Sequence, residues 1–159
     1  TEIYTLSLHD ALPIYIGSMY FMEKELSDFI SWLSSPDPVA RKVGFVLICG
    51  DVVDGVGIYP NQDKELDFVD IHEQLEKTIE LLSKIPQHIK VIVTPGNHDP
   101  GRRALPQPAI PEFYNSSLWN QKNISMLGNP AMVSLNGVKV MMFHGQSIDD
   151  IVRTTPGLS

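Results

Sequence analysis

The chain has 159 residues, of which 43% are hydrophobic, so it can bury a domain-sized core and is not an intrinsically disordered chain. Its formal net charge is −7, which is not typical of a stand-alone nucleic-acid binder; a DNA-binding role would need metal ions, a local basic patch or a partner subunit. The single cysteine excludes an intramolecular disulfide, and no apolar run reaches the about 18 residues of a membrane helix, so we expect a soluble protein in a reducing compartment.

The first half of the chain contains alternating helix and strand signals. Apolar residues spaced like one face of a helix predict a first helix within residues 21–33. The continuous apolar run of residues 43–49 predicts a strand that is buried on both faces. Cys49 ends this run, and we expect it to be a small buried hydrophobe and not a reactive thiol.

A second helix and a second strand follow. Residues 71–85 carry another apolar stripe, with Asp70 placed to cap the start of the helix. Residues 90–94 predict a second buried strand, and the order strand, helix, strand predicts a parallel sheet. The proline-rich residues 100–111 predict a semi-rigid surface loop.

The last third of the chain predicts a hairpin. Two short β-type runs, residues 131–135 and 138–143, flank Asn136-Gly137, a strong signal for a tight turn. We expect Met141 to Phe143 to lie in the core. The chain is thus predicted to be an α/β protein with sheets flanked by helices.

Polar residues follow three of the predicted strands. Asp51 and Asp54 come after the first strand, Asn97 to Asp99 after the second, and His144 after the hairpin. Because such strand ends meet at one edge of an α/β sheet, we expect these side chains to lie close together. Glycines beside them allow the tight turns that this requires.

The side-chain types at this edge favour a metal site. A carboxylate, an amide oxygen and imidazoles suit manganese, iron or zinc, whereas the absence of cysteine ligands argues against a structural zinc site. A carboxylate can also bridge two cations about 3.5–4 Å apart, an arrangement that catalyses phosphate-ester cleavage. Asn and Asp are common turn residues as well, so a structural role for Asn97 and Asp99 is the competing interpretation.

The motifs resemble those of a known superfamily, the calcineurin-like metallophosphoesterases. The matching segments are Gly50-Asp51-x-x-Asp54, Gly96-Asn97-His98-Asp99 and His144-Gly145. The surrounding sequence is similar, more narrowly, to the small subunits of archaeal family-D DNA polymerases, over residues 50–62, 95–99, 107–109 and 144–150. This resemblance extends over residues 16–159 and implies a metallophosphoesterase sandwich of β-sheets flanked by helices.

The resemblance implies a role for each matching residue. Asp51 would bridge two divalent metal ions, with Asn97 and His144 as further ligands of one of them. Manganese is the expected metal, with iron, zinc or magnesium as alternatives. His98 would lie beside the scissile phosphate and stabilise charge or protonate the leaving oxygen.

Further residues would act around these ligands. Asp54 and Asp99 would orient the metal-binding groups without binding metal themselves. Arg102 and Arg103 are possible DNA-phosphate contacts, although a solvated loop explains them equally well.

The same resemblance implies a biological role. It predicts a 3′–5′ exonuclease that proofreads DNA for a large polymerase subunit in the archaeal cytoplasm. Two alternatives remain open: a scaffold subunit with no catalytic activity, and a generic metallophosphoesterase that acts on phosphoproteins or nucleotides.

The chain departs from the superfamily pattern near both ends. Where the superfamily has an Asp-x-His pair of metal ligands, this chain has Pro13, Ile14 and Tyr15, and the nearby His9-Asp10 pair has the wrong order and spacing. The closing Gly-His-x-His motif is also missing. We therefore interpret residues 1–14 as foreign sequence and residues 15–159 as one metallophosphoesterase domain, incomplete at both ends, which alone hydrolyses DNA negligibly.

Overall fold

The computed structural model describes residues 14–114 and 116–157. The hypothesis about residues 1–14, including Pro13 and the His9-Asp10 pair, therefore lies outside the described residues except at Ile14. The helices are α1 (Glu23–Leu33), α2 (Ile71–Leu82), α3 (Ser116–Trp119) and α4 (Gln146–Thr154). The strands are β1 (Phe45–Cys49), β2 (Lys90–Thr94), β3 (Ile124–Met126), β4 (Ala131–Leu135) and β5 (Val138–Met142).

A parallel sheet with the order β1-β2-β3 forms the centre of the fold. β1 pairs with β2 from Phe45 opposite Lys90 to Cys49 opposite Thr94, and α2 lies in the connection between them. The predicted strand–helix–strand unit is therefore confirmed. β3 was not predicted, because three residues are too few to show a periodic pattern.

The two faces of this sheet are covered by different elements. On one face, Ile48, Val91 and Val93 belong to a core that also contains residues of α1 and α2. On the other face, Phe45 and Leu47 pack against a smaller cluster formed by the hairpin, with Val133, Leu135 and Met142 at its centre. Both faces of β1 are therefore covered, but only Ile48 of this strand is fully buried, so the predicted burial is confirmed in part. The coarser prediction of an α/β fold with flanking helices is confirmed.

Local signals placed the second helix correctly. The Asp70 carboxylate accepts the backbone N–H of His72 at 2.7 Å, which caps the start of α2 as predicted. In the hairpin, Asn136 and Gly137 have φ values of 49° and 88°, the left-handed pair that a tight turn between β4 and β5 requires.

Two burial predictions were wrong. Cys49 is exposed, because it is the last residue of β1 and lies beyond the part of the strand that the hairpin covers. Met141 is 64% exposed whereas Met142 is 1% exposed, since adjacent residues of a strand face opposite sides. Among the described residues, no helix has the length and apolar character needed to cross a membrane.

Candidate metal centre

The turn after β1 brings Asp51 to the edge of the sheet. Gly50 has a φ of +88°, and a Cβ atom there would lie 2.5 Å from Nδ1 of His144. The absence of a side chain at Gly50 therefore allows the imidazole of His144 to approach the strand end. Asp51 itself is only 3% exposed, so its carboxylate needs polar partners.

Of the three predicted metal ligands, His144 contacts both of the others. Nε2 of His144 lies 3.2 Å from Oδ2 of Asp51 and 3.0 Å from Oδ1 of Asn97. Nδ1 of His144 lies 2.8 Å from the carbonyl oxygen of Cys49. A carbonyl only accepts hydrogen bonds, so Nδ1 carries a proton and Nε2 faces two oxygens.

This arrangement fits a divalent cation. A neutral imidazole, a carboxylate and an amide oxygen would present three lone pairs to one point, and only a proton or a cation satisfies them all. The backbone carbonyl that holds Nδ1 is the kind of outer partner that metal-binding histidines have. Within the described residues no group of three His, Cys, Asp or Glu side chains forms a metal cluster, so the third donor here is an amide.

The charges of the cluster support each other. The hydrogen bond to Asp51 raises the pKa of His144, although burial opposes this. Burial works against ionisation of Asp51, but hydrogen bonds from His144 and from the His98 backbone outweigh it and lower the pKa of Asp51. Each of the two groups therefore favours the charged form of the other.

His98 lies beside this cluster and is held by Asp54. Its backbone N–H donates to Oδ1 of Asp51 at 3.0 Å. Its Nδ1 lies 2.8 Å from the Asp54 carbonyl and 3.1 Å from Oδ1 of Asp54. Asp54 in turn accepts Nε2 of Gln62 at 2.9 Å on its carbonyl and at 3.2 Å on Oδ1. The ring orientation of His98 is thus fixed through one nitrogen, which leaves Nε2 for other partners.

Asp99 ties the two strand-end loops together. Its Oδ1 accepts the backbone N–H groups of Val52 at 3.0 Å and Val53 at 3.2 Å, and its Oδ2 accepts that of Gly96 at 2.8 Å. Burial raises the pKa of Asp99 to about 6, although the backbone donors oppose this. Asp99 thus shapes the backbone that carries Asp51 and Asn97.

Buried side-chain amides complete the hydrogen-bond network around the proposed ligands. They were not predicted from the sequence. Nε2 of Gln107 donates to the Gly96 carbonyl at 2.9 Å. Nδ2 of Asn129 donates to Oε1 of Gln107 at 2.6 Å, and Oδ1 of Asn129 accepts the backbone N–H of His144 at 3.1 Å. Gln62 and Gln107 lie in segments that resemble the polymerase subunits, which is the only sequence signal that could have pointed to them.

Tyr15 lies beside Asp51 and His98. Its backbone N–H donates to the Asp51 carbonyl at 3.1 Å, and its ring lies 4.8 Å from that of His98. Burial, followed by the charge of Asp51, raises the pKa of Tyr15. The phenol therefore stays neutral beside Asp51.

The two arginines lie on the neighbouring loop. Both are exposed, and the guanidinium of Arg102 donates to the carbonyl of Pro106. The carbonyl of Arg103 accepts Nε2 of Gln146 at 3.1 Å. The structure thus brings Asp51, Asn97, His98 and His144 together, and leaves the arginines as a separate feature of the loop.

The fold and the site together define a class: α/β proteins in which carboxylate and imidazole side chains cluster at the strand ends of a parallel sheet. Residues 15–158 match the family model for the B subunits of DNA polymerases alpha and epsilon, and the chain belongs to this family. The resemblance to archaeal polymerase small subunits is confirmed by relatives named DNA polymerase II small subunit. That of Methanothermobacter thermautotrophicus is 44% identical in an alignment of 152 positions that covers 92% of this chain and 32% of the relative.

Other relatives with the same name show similar coverage. The protein of Archaeoglobus fulgidus is 44% identical over 164 aligned positions, covering 99% of this chain and 33% of the relative. That of Pyrococcus furiosus is 37% identical over 164 aligned positions, covering 99% of this chain and 26% of the relative. The chain thus spans a third or less of the length of these three relatives.

Proposed function

We propose that this chain carries a calcineurin-like, metal-dependent phosphodiesterase site that acts as a 3′–5′ exonuclease within an archaeal DNA polymerase. The observation that carries the proposal is the meeting of His144 Nε2 with Oδ2 of Asp51 and Oδ1 of Asn97, at 3.2 and 3.0 Å. Membership of a DNA polymerase subunit family supplies the context, and favours this role over that of a generic metallophosphoesterase.

Asp51, Asn97 and His144 would hold a divalent cation. Manganese suits this mixed donor set, with iron, zinc and magnesium as alternatives. When bound, such an ion neutralises charge on a phosphodiester and lowers the pKa of water, which provides a nucleophile at neutral pH.

The chain's own contribution to bond cleavage would come from His98. Asp54 holds Nδ1 of His98 at 2.8 and 3.1 Å, so Nε2 is left for other partners. From there it can donate a proton to the leaving oxygen or stabilise charge on the phosphate. Asp54 acts only by holding the ring, and Asp99 acts only by shaping the loops.

The proposed partners are DNA and the large catalytic subunit of a family-D polymerase, in the cytoplasm. The names of the relatives describe a small subunit of DNA polymerase II, which implies a larger companion in those proteins. Arg102 and Arg103 are exposed on the loop after β2 and are the candidates for contact with the DNA backbone. The chain's net charge of −7 makes such local cations more important.

A second candidate function is that of a scaffold subunit without catalytic activity. The observation that favours it is the position of Tyr15, whose backbone N–H donates to the Asp51 carbonyl at 3.1 Å and whose ring lies 4.8 Å from that of His98, so that a phenol and not a metal-binding side chain stands beside the cluster. The intact contacts among Asp51, Asn97 and His144 favour the nuclease.

A chimera distinguishes the two functions. This chain would replace the matching segment of the Methanothermobacter thermautotrophicus protein, assembled with the large subunit of that organism. The nuclease proposal expects manganese-dependent shortening of single-stranded DNA from its 3′ end. Asp51→Asn and His98→Ala should each reduce it by at least about 100-fold while polymerisation is retained. Normal assembly and polymerisation without such degradation would instead establish the scaffold.

A further inference from the structure

The segment that follows Asp54, residues 55–62, forms a loop with a tyrosine beside His98. The ring of Tyr59 lies 6.3 Å from the ring of His98, at an interplanar angle of 56°. The backbone of this 55–62 loop is also close, because a Cβ atom added at Gly55 would collide with the His98 carbonyl oxygen. The loop thus packs directly against the residue that we propose as the proton donor.

Hydrogen bonds hold the 55–62 loop in one conformation. Oε1 of Gln62 accepts the backbone N–H of Ile58 at 2.9 Å, and Nε2 of Gln62 donates to the Asp54 carbonyl at 2.9 Å. The backbone N–H of Gln62 donates to the Tyr59 carbonyl at 3.4 Å, and the Gln62 side chain is almost fully buried. The position of the aromatic ring is therefore set by the fold before a ligand binds, which lowers the entropy cost of binding.

The exposure and charge around Tyr59 indicate which part of a nucleotide it suits. Tyr59 is 40% exposed, and its hydroxyl donates to Oε2 of Glu65 at 2.9 Å. The Glu65 carboxylate repels a phosphate group from this end of the side chain. A flat, uncharged group that stacks on the ring meets no such repulsion. The ring therefore favours a nucleobase, with the phosphate of the same nucleotide nearer His98.

We infer that Tyr59 stacks on the 3′-terminal base of a DNA strand whose scissile phosphate lies at His98. The inference rests on the proposed function, and names the part of the substrate that the 55–62 loop recognises. Stacking on an aromatic side chain is tolerant of sequence, because every base has a flat π-face. It also requires a base that has left the stack of a duplex. The contact would therefore select an unpaired 3′ end of any sequence.

A strand with an abasic 3′ terminus tests this contact. In the chimera described above, with Mn²⁺, kcat/KM is compared for two single strands that differ only in whether the last nucleotide carries a base. We expect the unsubstituted chimera to prefer the strand with the base by about 5–100-fold, as the stacking of one base predicts. Tyr59→Ala should abolish this preference, whereas Tyr59→Phe should retain it because the ring remains.

Phe113→Ala is the matched control for loss of an exposed aromatic ring. Phe113 is 78% exposed, and its ring lies 4.4 Å from that of Tyr114. This substitution should leave the preference for a terminal base unchanged. An active chimera without the preference, or with a preference that survives Tyr59→Ala, would overturn the inference and leave the proposed nuclease intact.

A binding measurement separates the base contact from the proposed function. A single strand with 2-aminopurine at its 3′ end, whose fluorescence falls on stacking, is titrated with the chimeric small subunit without metal. We expect quenching by the unsubstituted protein and by Tyr59→Phe, and an affinity at least about fivefold lower for Tyr59→Ala. If the chimera degraded no DNA, quenching that depends on Tyr59 would overturn the nuclease and support the base contact. Its absence would then overturn both. Circular dichroism checks that the variants are folded.

Discussion

The side chain of Gln74 and the backbone of Gly55 hydrogen-bond to each other twice. The N–H of Gly55 donates to Oε1 of Gln74 at 2.9 Å, and Nε2 of Gln74 donates back to the Gly55 carbonyl at 3.1 Å. The same Nε2 reaches the Phe68 carbonyl at 2.8 Å. One side chain of α2 thereby holds the loop that carries Asp54, and through Asp54 the ring of His98.

Gln74→Leu should destabilise the fold strongly. Gln74 is fully buried, and a leucine would leave the Gly55 N–H and the carbonyls of Gly55 and Phe68 without their partner. We expect the free energy of unfolding, measured in urea, to fall by about 2–4 kcal/mol. Gln87→Leu is the control. Because Gln87 is exposed, this substitution should change the free energy of unfolding by less than about 0.5 kcal/mol. Equal effects of the two substitutions would show that the buried amide contributes nothing.

Asp99→Ala should lower the free energy of unfolding by more than the loss of a comparable surface carboxylate does. It would leave the backbone N–H groups of Val52, Val53 and Gly96 unpaired inside the protein, and we expect a loss of at least about 3 kcal/mol in unfolding free energy. Asp37 also accepts two backbone N–H groups, but it lies near the surface, where water can replace it. Asp37→Ala should therefore cost about 1 kcal/mol. A similar loss for both variants, measured by urea unfolding, would contradict the role of Asp99.

Asn129→Ala should weaken metal binding without touching a proposed ligand. Asn129 positions the backbone of His144 and is itself held by Gln107, so its loss frees the imidazole to move. We expect the dissociation constant for Mn²⁺, measured by calorimetry, to rise about 10–100-fold. Asn123→Ala removes another buried amide, bonded to the Ile89 carbonyl, and should lower stability without changing the affinity. The prediction fails if the two variants bind Mn²⁺ equally well.

Gly50→Ala should disrupt the centre by steric contact. A Cβ atom at Gly50 would lie 2.5 Å from Nδ1 of His144 and 2.8 Å from the Gly96 backbone. We expect Mn²⁺ affinity to fall at least about tenfold, because the ring must leave the Cys49 carbonyl. Gly57→Ala is the matched control: its φ is +72°, but nothing lies within 4 Å of the added Cβ. It should show only backbone strain of about 1–2 kcal/mol and unchanged affinity. If calorimetry gave the same Mn²⁺ affinity for both variants, the contact between the added Cβ and His144 would not disturb the centre.

The sequence alone determined α1, α2, β1, β2 and the hairpin, and the edge at which the polar residues meet. Apolar periodicity and the turn pair Asn136-Gly137 are local signals, and the corresponding helices, strands and hairpin lie where they were predicted. The grouping of Asp51 with Asn97 also followed, because parallel strands end at a common edge. Their role in binding metal remains a prediction.

Only the tertiary structure decided what surrounds these residues. Burial of Cys49 and Met141 was predicted wrongly, since exposure depends on how far the hairpin extends over the sheet and on which side each residue faces. The contacts of Gln74 and Asn129 join residues that are distant along the chain, so no local pattern reveals them. The position of Tyr15 beside Asp51 likewise arises only because a short segment before α1 pairs with the turn after β1. Local periodicity reports which face of an element is apolar, whereas the partner of a buried polar group is set by chain segments that meet only in the folded state.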